Sequence, residues 1–125
     1  MKTKKLKKLI IKVITEEQFN RDVIAAWNRE YKTIMRKNEI GVHNINRVGF
    51  IFSQERLELI QAIKMYEPES IYELAKLVER DFKNVSKDVT ILASFGMIGI
   101  EKSETGRKSI KPILLYSGYE VQFAS

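Results

Sequence analysis

Apolar residues recur along this chain with two different periods, and the change from one to the other marks out its elements. From Leu6 to Ile14 the run is rich in β-branched residues and stops at Thr15, which predicts a strand. Thr15 with Gln18 makes a capping box, and Glu16 and Glu17 oppose the positive pole of a helix that starts there. From Glu16 to about Lys37, Phe19, Val23, Ile24, Trp27, Tyr31, Ile34 and Met35 fall at helical spacing, and Arg36 and Lys37 suit the negative pole. A long amphipathic helix is expected there. Asn38 to Asn46 reads as a connector with Gly41 as a stop, and Val48 to Phe52 as either a short strand or chain that covers the core.

The pattern then becomes more regular. Ser53 caps a helix with apolar positions Leu57, Ile60, Ile63 and Met65, and Pro68 forbids its continuation. Ser70 and Glu73 form a second capping box, opening a short helix that buries Ile71, Leu74, Ala75 and Val78. Glu79-Arg80-Asp81 is a tight polar interruption with Asp81 as N-cap. The helix after it buries Phe82, Val85, Val89, Leu92 and Phe95 along one side and ends at Gly96. Beyond Gly96 the period falls to two. Met97–Lys102 and Ser109–Leu115 read as strands of a β-hairpin around the polar loop Ser103–Lys108. The alternation of Tyr119, Val121 and Phe123 with Glu120 and Gln122 predicts one more strand.

Helix, short helix, tight turn, helix, hairpin is the order of a winged helix-turn-helix. The expected fold class is therefore α+β: a winged helix-turn-helix of three helices and a hairpin wing, preceded by a strand and an amphipathic helix. Residues 1–46 form the extension and 47–125 the winged-helix domain. In such modules the third helix enters the major groove with its N-terminal side chains toward the base edges. The polar side of that helix carries Lys83, Asn84, Ser86, Lys87 and Thr90, which combine phosphate-pairing cations with groups suited to bases. Arg107 and Lys108 stand at the hairpin tip, with Lys102 and Lys111 near its base, placed to lie along the backbone or reach a minor groove. Taken singly, each patch also fits a solvated surface.

Charge bears on this reading. The chain of 125 residues has 22 Lys and Arg against 16 Asp and Glu, a net charge of +6 that favours a polyanionic partner. It has no cysteine, which excludes a disulfide framework, a thiolate zinc site and a cysteine nucleophile. The apolar runs are much shorter than a membrane span. The basic, then apolar start lacks the length and cleavage site of a signal peptide, so it is read as part of the mature fold and the protein as cytoplasmic.

The stretch SQERLELIQAIKMYEPESIYELAKLVERDFKNVSKDVTILASFGMIGIEK resembles a group of MarR-like winged-helix transcriptional regulators of archaea and bacteria. ELAKLVERDFKNVSKDVTIL is its most specific part, and KPILLY is similar to the last wing strand of that group. The resemblance covers about the last two thirds of the chain. It implies a DNA-reading set of Arg80, Lys83, Asn84, Ser86 and Lys87, although Ser86 stands where a larger hydrogen-bonding side chain is more usual. It also implies a second role, since some members are antitoxins that bind a toxin protein and repress their own operon.

Other chemistry finds little support. His43, the one histidine, sits in a polar connector without a second ligand or a paired carboxylate, so neither a metal site nor a general base is indicated. There is no glycine-rich phosphate loop, no cofactor is expected, and no set of residues suggests an enzyme. Phe19, Val23, Trp27 and Tyr31 form a stripe that suits a homodimer interface, a grip on a partner protein, or packing within the chain. The lysines at positions 2, 4, 5, 7 and 8 read either as an arm touching phosphates or as the guard of an edge strand. The expected function is that of a sequence-specific double-stranded-DNA-binding transcriptional regulator, with an antitoxin-type protein-interaction module as the alternative.

Overall fold

The computed structural model describes residues 7–14, 17, 20–21, 38–102 and 110–123. Among them the chain is α+β, with four helices and five strands in two sheets. In chain order these are β1 (Lys8–Val13), β2 (Glu39–Val42), α1 (Ile45–Ile51), α2 (Gln54–Tyr66), α3 (Ile71–Val78), α4 (Phe82–Ser94), β3 (Ile98–Lys102), β4 (Ile110–Leu114) and β5 (Gly118–Phe123). Two compact units result: Met1–Phe50 with Tyr116–Ser125, and Ile51–Leu115.

The first unit is built on a parallel sheet in the order β2-β1-β5. β1 pairs with β2 from Ile10 opposite Glu39 to Val13 opposite Val42, and with β5 from Lys8 opposite Gly118 to Val13 opposite Phe123. Strand alternation then separates two faces. Leu9, Ile11 and Val42 are buried on one of them, with Tyr119, Val121 and Phe123 on the same side. The other carries Ile10 between Glu39 and Glu120, with Lys8 and Lys12 before and after it along β1. Lys12 Nζ lies 3.4 Å from Glu39 Oε1, and Lys8 Nζ 3.6 Å from Glu120 Oε1. On the apolar face, burial first and Tyr116 second push the Tyr119 hydroxyl above the usual phenol range.

Four expectations change here. The connector at 38–46 contains a strand, β2, because its backbone pairs with β1, a partner distant in sequence. Val48 to Phe52 belongs largely to helix α1 rather than to a strand. β1 is the central strand, so Lys8 guards no edge; it pairs across the sheet with Glu120. The boundary expected at 46/47 with a continuous C-terminal domain gives way to breaks at 50/51 and 115/116, because β5 returns to β1. Glu17, Asn20 and Arg21 are helical, within the span of the expected long helix. Phe19, Val23, Trp27 and Tyr31 lie outside the described residues.

The second unit follows the predicted element order closely. Ser53 Oγ accepts from Arg56 N (3.3 Å), Ser70 Oγ from Glu73 N (3.0 Å) and Asp81 Oδ2 from Asn84 N (3.4 Å), so α2, α3 and α4 each start on the expected cap. The Glu73 side chain reaches back one residue beyond the cap, accepting from Glu69 N at 2.6 Å. Gly96, at φ 76°, ends α4: its N–H donates to Ala93 O (2.9 Å) and that of Met97 to Leu92 O (3.1 Å). Glu79 does the same for α3 at φ 57°, a left-handed backbone that an L side chain adopts at a cost. Gly99 has another reason to be glycine, since a Cβ there would meet Leu115 Cδ2 at 3.0 Å and Ile113 Cγ1 at 3.2 Å.

Leu59, Leu74, Val85, Val89, Leu92 and Met97 are fully buried in this unit. The phase of α2 differs from the expected one: Arg56, Leu59, Ala62 and Ile63 face inward, while Leu57 and Met65 are exposed. The cause is an ion pair. Asp88, buried on α4, accepts from Arg56 Nε through Oδ1 (3.2 Å) and from Arg80 Nη2 through Oδ2 (2.8 Å). One carboxylate thus ties α2, the turn before α4, and α4 itself.

Removing the shared acid strands two arginines, so Asp88→Ala should lower unfolding free energy by about 3–5 kcal/mol. Arg56→Met or Arg80→Met leaves Asp88 one partner and should cost less, about 1.5–3 kcal/mol. Urea unfolding checks that order. In the sheet, the hydrogen bond from Gln122 Nε2 (2.8 Å), and after it the Lys8 ammonium, hold the Glu120 carboxyl below its ordinary value. A lowered carboxylate contributes stability above its unfolded pKa, which is lost as pH falls through the folded value. Gln122→Ala should therefore raise the Glu120 midpoint more than Lys8→Met does, as followed by NMR titration.

Candidate nucleic-acid interface

The candidate interface rests on α4. Each residue advances the helix by about 100°, so burying Val85, Asp88, Val89 and Leu92 turns Lys83, Lys87 and Thr90 to the opposite side. Lys83, Asn84, Lys87 and Thr90 are exposed, and Ser86 is half-buried at the margin. Thr90 Oγ1 donates to Ser86 O (2.9 Å), which fixes its hydroxyl against the helix and leaves its oxygen free to accept. Asp88, the one acid between Phe82 and Ser94, is turned inward and engaged by two guanidinium groups. The outer surface of α4 therefore carries lysines and hydrogen-bonding groups without a carboxylate.

Arg80 is placed differently from the other residues of the expected set. Its guanidinium is committed to Asp88, its side chain is 22% exposed, and Nη1 is buried with no hydrogen-bond partner among the described residues. It positions α4 from within instead of standing on the surface. Nothing local in the sequence signalled this, since the stripe expected for α2 (Leu57, Ile60, Ile63 and Met65) leaves Arg56, the other partner of Asp88, outside it.

The hairpin joins β3 and β4 antiparallel, from Ile98 opposite Leu114 to Lys102 opposite Ile110. Lys102 is exposed at the end of β3. Lys111 is half-buried, with Nζ 3.4 Å from Glu69 Oε2, so a neighbouring acid offsets part of its charge. Arg107 and Lys108 lie outside the described residues. One group was not foreseen. Tyr72 on α3 and Phe82 on α4 are both exposed, their rings 6.3 Å apart, and Lys76 Nζ sits 5.1 Å from the centre of the Tyr72 ring. Phe82, expected in the core, stands at the first turn of α4 where the helix has not yet entered it.

Among the described residues no group of three or more His, Cys, Asp or Glu could hold a metal ion, and no helix is long and apolar enough to cross a membrane. Comparison with curated proteins and with solved structures finds no match. The HVO_A0114 family model matches residues 51–121, which takes in the whole of the helical unit and runs on into β5. The match spans more than half of the sequence, and the chain belongs to the HVO_A0114 family.

Proposed function

We propose that residues 51–115 are a winged helix-turn-helix and that the protein is a transcriptional regulator which binds double-stranded DNA at specific sequences. α4 lies in the major groove, and the β3–β4 hairpin follows the backbone or a minor groove. One observation carries this reading. The outward face of α4 presents Lys83, Asn84, Lys87 and Thr90, while its only acid is held inside by Arg56 and Arg80. The order α2, α3, tight turn, α4, hairpin supports it, as does the net charge of +6.

The residues divide by role. Lys83 and Lys87 pair with phosphates and supply most of the salt dependence. Asn84, with a donor and an acceptor at its tip, reads a base edge, and adenine offers the matching pair. Thr90 and Ser86 contribute at the margins of that face, and Lys102 lies along the backbone. Arg80 acts through Asp88 by fixing which side of α4 faces the groove.

A gel-shift titration on the DNA upstream of the protein's own gene should show binding that weakens steeply with salt. No preference over random duplex would overturn the proposal. Lys83→Ala and Lys87→Ala should each weaken binding to all sequences and lower the salt slope by about one, with the melting temperature nearly unchanged. Asn84→Ala should cost about 1–3 kcal/mol on the preferred site and relax its specificity.

A further inference from the structure

The sheet of the first unit ends differently on its two sides. β1 is paired on both edges, which leaves β2 and β5 as the outer strands, and among the described residues no strand lies beyond β5. β2 is four residues long and contains Gly41, so it offers a poor template. β5 has six residues, Gly-Tyr-Glu-Val-Gln-Phe, paired with β1 without interruption. Natural edges are guarded by charged side chains, above all Lys, by Pro or by a bulge; β5 has no Lys, Pro or bulge, and its one charge, Glu120, is paired with Lys8. Its apolar side chains share a face with Leu9 and Ile11, which are 1% and 0% exposed, yet Val121 is 38% and Phe123 70% exposed. The apolar face therefore runs out to the rim of the sheet, where Val121 and Phe123 remain exposed.

We propose that this protein self-associates through the outer edge of β5, two copies pairing these strands antiparallel about a two-fold axis at Val121. The strand is complementary to itself in that register. Val121 faces Val121 of the partner subunit, Tyr119 faces the partner's Phe123, and Phe123 faces the partner's Tyr119, so the apolar faces of the two sheets join. On the other face Glu120 stands opposite the partner's Gln122, and Gln122 opposite the partner's Glu120, giving two amide–carboxylate pairs. The same groups already meet within one strand, where Gln122 Nε2 lies 2.8 Å from Glu120 Oε2.

Neighbouring registers are worse. Centring the axis on Glu120 sets two carboxylates directly opposite each other, which destabilises a strand pair. A slip of one residue places the apolar face of one sheet beside the polar face of the other. A two-fold contact of this kind closes on itself, because each copy uses the same strand and, among the described residues, offers no second unguarded edge of that length. Two three-stranded sheets thereby become one sheet of six. This inference concerns the sheet and stands apart from the DNA-binding reading.

The test exploits the absence of cysteine from the chain. Residues directly opposite in an antiparallel pair have Cα atoms about 4.5–5.5 Å apart, within the span of a disulfide. Val121→Cys should therefore form a covalent dimer on mild oxidation, while Gln61→Cys, exposed on α2, should not. Sedimentation equilibrium supplies an independent arm at Gln122, with each fold confirmed by circular dichroism. Gln122→Glu meets the partner's Glu120 twice and should weaken the dimer by about tenfold. Gln122→Lys should tighten it by a similar factor. A monomer at every concentration reached, or a dimer that neither Gln122 change moves and that Val121→Cys fails to cross-link, overturns the proposal.

Discussion

The carboxylate of Asp88 is the point on which the helical unit turns. Val85, Val89 and Leu92 bury an apolar stripe, but an apolar stripe tolerates a helix rotated by part of a turn, since one contact between methyl groups substitutes for another. A buried charge does not. Asp88 accepts Arg56 on one oxygen and Arg80 on the other, and a rotation by one residue, about 100°, would break both contacts and bury Lys87 in its place. The ion pairs act on specificity of arrangement more than on net stability, because desolvating three charged groups offsets much of the attraction between them. They also decide the electrostatics of the outer face. Neutralised inside, Asp88 leaves the outward field of α4 to Lys83 and Lys87.

A second constraint acts on the whole chain. β1 and β5 lie at opposite ends of the sequence and pair in parallel over six positions. Parallel neighbours need a long crossover between them, and here the connection contains β2, α1 and the entire unit 51–115. The helical unit is therefore an insertion into the chain of the sheet, not a domain following an extension. Removing residues 1–46 would delete β1 and β2 and leave β5 without the strand against which it folds. The N-terminal segment cannot be treated as an appendage.

Much of the helical unit was legible in the sequence because its signals are local. Ser53, Ser70 and Asp81 each precede an apolar repeat and each accept the expected backbone N–H, and Gly96 stops α4 with the left-handed backbone it alone adopts freely. The exposed set Lys83, Asn84, Lys87 and Thr90 followed from the same periodicity. What was not legible depends on distant partners. β2 has little strand character of its own and exists because β1 lies beside it. α2 was expected to bury Leu57, Ile60, Ile63 and Met65, whereas the buried side holds Arg56, Leu59, Ala62 and Ile63, with Arg56 on an aspartate of another helix. Arg80 looked like a surface cation because family position and composition carry no information about which way a guanidinium points.

Arg80 stands behind the outer face of α4, and on the proposed reading it governs recognition without touching DNA. A cation that neutralises a phosphate releases counterions, so its contribution grows as salt falls. A cation paired with a buried carboxylate releases none; its contribution is the orientation of the helix, which is much less sensitive to salt because the pair is shielded from solvent. With 22% of its side chain exposed and its Nη2 on Asp88 at 2.8 Å, Arg80 belongs to the second kind. On the proposed DNA-binding reading, the pairing gives a basic residue at this turn a role behind α4. It keeps the only acid of α4 off the outer face, where Lys83 and Lys87 stand without a competing carboxylate.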